Sequence, residues 1–132
     1  MIKLFAATGS VLLVLSIATG WLIVAKRHLS MRVIEAYIRD DENLAKAHVD
    51  YIIMGAVLLI LYAVGINFPS YIVVLACLGA LSNPSLFAFL SLKPDVNKAL
   101  GSPFSIVSTL SFLATTVGIG GAACSVLVKT LT

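Results

Sequence analysis

Charge is scarce in this chain, and that scarcity excludes most of what a protein of its length can be. Of 132 residues only nine are Lys or Arg and six are Asp or Glu, while 60% are hydrophobic and mean hydropathy is +1.06. A soluble domain carries about 25% charged residues, so the chain reads as an integral membrane protein. Its formal net charge of +3 belongs to membrane topology and makes no case for a nucleic-acid partner. Cysteine is equally sparse: Cys77 and Cys124 lie inside apolar runs and read as small apolar fillers. The sequence has no C-x-x-C-H haem attachment, zinc cluster, phosphate loop or serine triad. It also has no internal repeat and no low-complexity segment.

What is present is apolar length. About 20 helical residues cross a hydrocarbon core of about 30 Å, and four segments reach that length. Helices are expected at about 4–25, 42–66, 71–92 and 103–128, giving an all-α integral membrane four-helix bundle that occupies 1–132 as a single membrane domain. The first segment has a small-residue stretch, Ala18-Thr19-Gly20, like that before a signal cleavage site. Its apolar run nevertheless continues past Trp21 to Ala25, longer than a leader's core, so a retained helix is expected.

The few charges sort by side. Lys26, Arg27, Arg32, Arg39 and Lys46 fall in the first connection and Lys93 and Lys98 in the third, leaving Lys3 and Lys129 at the ends. The positive-inside rule puts both connections in the cytoplasm and both termini outside it. The expected location is multi-pass, in a bacterial inner membrane.

Local signals fill in the helices. MRVIEAYI in the first connection fits a short interfacial helix, after which Asp40 or Asp41 can cap the second span. Gly65 to Ser70 is short and uncharged, so the second and third spans are antiparallel neighbours. Pro84 cannot donate to the carbonyl of Ala80 and is expected to kink the third span. Ser102-Pro103 is a start signal for the fourth. Gly9, Ser16 and Gly20 share a face of the first span, and Ser111, Thr115, Gly118, Ala122 and Ser125 form a stripe on the fourth; both suit close packing.

The one commitment to chemistry is in Asn43 to Gly55, NLAKAHVDYIIMG. It places His48 near the entrance of an apolar helix, where an ionisable side chain asks for a partner. Gly55, seven residues on, returns almost to the same helix face roughly 10 Å deeper. An imidazole above a patch without a side chain can accept a flat ring. Asp50 is about 200° around the helix from His48, so Lys46 is its expected partner, while the Leu44 carbonyl is a candidate to orient the imidazole. Asn83 is expected at a depth comparable with Gly55, lining the same pocket. Arg39 and Lys46 lie toward the aqueous edge, where acidic groups of a cofactor need positive partners. His28, after Lys26 and Arg27, reads as an interfacial residue.

These residues carry a resemblance. Ala45-Lys46-Ala47-His48 entering the second span, Gly55 after it, Thr19-Gly20-Trp21-Leu22 and Ser82-Asn83-Pro84-Ser85-Leu86-Phe87 together resemble the styrene oxide isomerase and hydroxylaminobenzene mutase group of small membrane proteins. The resemblance implies haem b with its iron held by His48, and subunits packed as a homotrimer with haem near their interfaces. It departs from the isomerases at two positions associated with handling the epoxide: an asparagine six residues after the histidine is Met54 here, and a tyrosine four residues after the third-span asparagine is Phe87. Neither replacement donates the same hydrogen bond.

The leading expectation is therefore a haem-b-binding membrane protein with isomerase-like chemistry on a small hydrophobic substrate, ferric iron acting as Lewis acid. One alternative is a haem electron-transfer or sensing protein in which Met54 or another side chain, including one from a neighbouring subunit, completes the iron's coordination. Another is a non-catalytic subunit of a larger membrane complex, docked through the fourth-span stripe.

Overall fold

A computed structural model describes residues 1–29 and 31–131. Helix α1 spans Lys3–Arg27, the short α2 Arg32–Tyr37, α3 Asp41–Val64 and α4 Ser70–Leu92. The last span is α5, Pro103–Thr115, then a π-helical turn, Thr116–Gly120, then α6, Gly121–Leu131. The four long helices, Lys3–Arg27, Asp41–Val64, Ser70–Leu92 and Pro103–Leu131, are each long and apolar enough to cross a membrane. The protein is an all-α four-helix bundle of membrane-spanning type.

Local chemistry sets the boundaries. The Asp40 side chain accepts from the Asn43 N–H at 3.0 Å, so it is the cap, and Asp41 is left free for ion pairing. Gly65, at φ 70°, ends α3 in the left-handed region that a side chain disfavours. Ser102 accepts from the Ser105 N–H and Pro103 occupies the first turn of α5. Helix α4 runs unbroken through Pro84, which is fully buried. Neighbouring hydroxyls take up carbonyls along this stretch: Ser82 donates to Leu78 and Ser85 to Leu81.

Packing follows the small residues. Helix α1 lies against α3, α3 against α4, and α4 against the last span, which is the least buried of the four. Gly9 of α1 and Gly55 of α3 meet directly, for a Cβ on either would fall 2.9 to 3.0 Å from the other's carbonyl oxygen. The α4 contact with the last span is tighter still. A Cβ on Gly79 would sit 2.5 Å from the Thr115 nitrogen, and one on Gly118 would land on the backbone of Ala76. The stripe from Ser111 to Ser125 is thus used inside the chain, with Ser111 hydrogen-bonded to Ser82 at 2.7 Å.

The ends of α1, α3 and α4 are tied together by the charged connection. Lys26 donates to the Ile38 carbonyl at 2.6 Å and pairs with Asp41, which Arg27 also approaches at 3.8 Å. The N–H groups of Arg39 and Asp40 donate to the Ser91 carbonyl at 2.8 and 3.1 Å. These bonds bring the first and third connections to one end of the bundle.

Candidate functional site

Two faces of α3 carry its polar side chains. Because His48 and Asp50 are about 200° apart, one looks toward α1 and the other toward α4.

On the α1 side, His48 Nδ1 is 2.8 Å from the Ser16 carbonyl and 3.3 Å from the Thr19 hydroxyl. A carbonyl oxygen only accepts, so Nδ1 carries the proton. In the neutral form of the ring Nε2 is then the nitrogen without a proton, with its lone pair available. Gly20 makes this contact reachable. It lies one helical turn after Ser16, and a Cβ on it would be 3.0 Å from His48 Cε1, so its bare backbone seats the imidazole and leaves the Ser16 carbonyl uncovered. The half-buried ring lines a groove of about 510 Å³ between α1 and α3, together with Ile17, Gly20, Trp21, Ile23 and Val24. The imidazole is thus held on an apolar groove with Nδ1 fixed by a backbone carbonyl. This is the usual support of a metal-binding histidine.

The orienting carbonyl comes from Ser16 on the facing helix and not from Leu44 on the histidine's own, because Gly20 lets the backbone of α1 approach. Thr19, Ser16 and Gly20 are therefore site residues, whereas the sequence pattern marked Ser16 and Gly20 only as packing. The expectation for Gly55 needs correcting. It is buried, and the space on its face is filled by Gly9 and Leu13 of α1, so no room for a ring edge is left there.

Asn83 lies on the other side of α3. It donates from Nδ2 to Asp50 Oδ2 at 2.7 Å, so it shares no pocket with Gly55 or with the His48 groove. Lys46, the expected partner of Asp50, pairs with Glu42 at 2.7 Å. Both pairings available to Lys46 are four residues long, and the one toward the aqueous end wins because it leaves both exposed charges hydrated. The Tyr51 hydroxyl, hydrogen-bonded to Ser85 at 3.0 Å, adds a second α3–α4 bond.

Neither expected cation reaches the His48 groove within one chain. Arg39 sits at the end of α4, 3.6 Å from Asp95, and Lys46 lines the groove on the α4 side. Arg27, half exposed and only loosely paired with Asp41, lies nearer: Ile23 borders both the His48 groove and the pocket of Lys26, Arg27 and Asp41. Met54 is partly buried against the hydrophobic core. His28 is exposed at the end of α1.

Among the described residues, no group of three or more His, Cys, Asp or Glu side chains could hold a metal ion. Comparison with family models, with curated proteins and with solved structures finds no match in any of the three.

Proposed function

We propose that this membrane protein binds haem b through His48 Nε2 in the groove between α1 and α3. The observation that supports this reading is the Nδ1 bond to the Ser16 carbonyl, which fixes the tautomer that leaves Nε2 free to bind a metal. Ile17, Trp21, Ile23 and Val24 offer an apolar wall for a porphyrin face, and Arg27 offers a positive partner for a propionate. Ferric haem bound there supplies a Lewis acid for the oxygen of a small organic substrate. The residues of this chain orient the histidine, exclude water and neutralise the acidic edge.

By the resemblance, the groove is completed by a second copy, in a trimer set in a bacterial inner membrane with both termini outside the cytoplasm. Much of the surface of all four spans is left uncovered by the single chain, which suits such an assembly. Haem binding has the stronger support of the two parts of the reading, since Met54 and Phe87 replace the hydrogen-bond donors that the isomerases use.

The test is the haem-to-protein ratio of purified variants, read with the Soret band. His48→Ala is expected to lose most haem, and His28→Ala to keep it. Full haem with an unshifted spectrum in His48→Ala removes the proposal.

A further inference from the structure

The second groove of α3 is unused by this reading and has chemistry of its own. It is an open groove of about 450 Å³ between α3 and α4, with walls of Val49, Ile53 and Phe87, Asp50 in the wall, and Glu42 and Lys46 also lining it. That volume is within the range of about 300 to 1,000 Å³ typical of small-molecule sites. Asp50 Oδ2 is held by Asn83, a neutral donor. Oδ1 has no hydrogen bond and the carboxylate no ion pair among the described residues. The nearest candidate cation in sequence, Lys46, is committed to Glu42. A carboxylate in an apolar wall one turn below the charged end of a membrane span is costly unless paired. The fold nevertheless pins it with an amide, which orients the group without neutralising it.

We propose that this groove is a binding site for a small apolar amine, its ammonium paired with Asp50 Oδ1 and its hydrocarbon part against Val49, Ile53 and Phe87. Charge complementarity selects the occupant. A neutral ligand leaves the carboxylate unmatched, and an anion is repelled by it. The Glu42–Lys46 pair cancels its own charge near the aqueous end, so Asp50 carries the discrimination. The site stands apart from the haem reading, because it is on the opposite side of α3 from His48.

The experiment is equilibrium binding of 2-phenylethylamine to the full chain in nanodiscs of neutral phosphatidylcholine, with 2-phenylethanol as the uncharged counterpart. Saturable amine binding, tighter than that of the alcohol, is expected in the wild type. Asp50→Asn should weaken the amine about tenfold or more, the scale of a lost charge-assisted hydrogen bond, while leaving the alcohol unchanged. Val49→Trp at an exposed position fills the groove with the carboxylate intact and should also abolish saturation, which keeps the test decisive if Asp50→Asn folds poorly. Glu35→Gln, an exposed carboxylate on α2 away from both grooves, should bind the amine as the wild type does. The proposal falls if the alcohol binds as tightly as the amine, if Asp50→Asn or Val49→Trp retains full amine affinity, or if Glu35→Gln loses as much as Asp50→Asn.

Discussion

Two glycines in the last span, two residues apart, should respond oppositely to the same substitution. A methyl on Gly118 would lie 2.6 Å from the carbonyl carbon of Leu75, where ordinary contact begins at 3.4 Å, while nothing lies within 4 Å of a methyl on Gly120. The neighbours of Gly118 are backbone and cannot swing aside, so Gly118→Ala forces α4 and the last span apart by roughly 0.8 Å or more. Overpacking of this kind costs about 1 to 3 kcal/mol. Separation also strains the Ser82–Ser111 hydrogen bond, worth about 0.5 to 1.5 kcal/mol. The helix propensity of alanine returns at most about 1 kcal/mol, so packing wins and a net loss of about 0.5 to 3.5 kcal/mol is expected. Gly120→Ala keeps the propensity gain without the clash and should be neutral or stabilising. The assay is reversible unfolding in mixed micelles by titration with denaturing detergent, followed by far-ultraviolet circular dichroism. A Gly118→Ala protein as stable as wild type, or both variants shifting in the same direction, would refute the backbone contact between α4 and the last span.

Gly20→Val should push the imidazole off the Ser16 carbonyl and lower haem affinity by about 10- to 100-fold, as losses of an orienting partner typically do; unchanged haem titration would separate Gly20 from the site. Gly55→Leu acts on packing, since its side chain meets the Gly9 carbonyl and Leu13, and is expected to lower stability whether or not haem is present; loss of haem at full stability would restore Gly55 to the cofactor site. The Asn43 N–H above all holds the Asp40 carboxyl below its usual range. A carboxylate with a lowered folded-state value contributes stability above its unfolded value and loses it as pH falls through the folded one. Acid titration of unfolding should therefore show a slope below the usual carboxylate range that Asp40→Asn removes, and an identical slope in that variant would contradict the cap. Fusions of a reporter active only in the cytoplasm should be silent at either terminus, and activity at both would reverse the proposed topology.

Composition alone was enough for the spans, because about 20 apolar residues have one economical conformation in hydrocarbon. It fell short on the interior of the last span, where a π-helical turn interrupts an otherwise regular apolar run. Nothing in Thr116-Val117-Gly118-Ile119-Gly120 distinguishes that turn from α-helix except its glycines. Partner choice was harder. Spacing within one helix points Asp50 toward Lys46, yet the amide of Asn83, 33 residues away, holds it. The same logic makes the Leu44 carbonyl a candidate for His48, which is held by Ser16, 32 residues away. Periodicity states which side chains share a face; it does not state which neighbour that face meets, since helix rotation is set by packing.

The signal for the His48 contact was nevertheless in the sequence. Ser16 and Gly20 are spaced four apart on α1, so the missing side chain at Gly20 exposes the carbonyl below it, and a histidine on a facing helix is the kind of donor such a carbonyl can accept. Gly9 and Gly55 bring the same two backbones together deeper in the bundle, and His48 sits on that interface seven residues before Gly55. Glycine thus acts in two ways along one interface. Gly9 and Gly55 remove side chains so that backbones touch, and Gly20 removes one so that an imidazole can reach a backbone. The orientation of Nε2, on which the proposed iron ligation depends, follows from the second of these and would be lost with any side chain large enough to cover the Ser16 carbonyl.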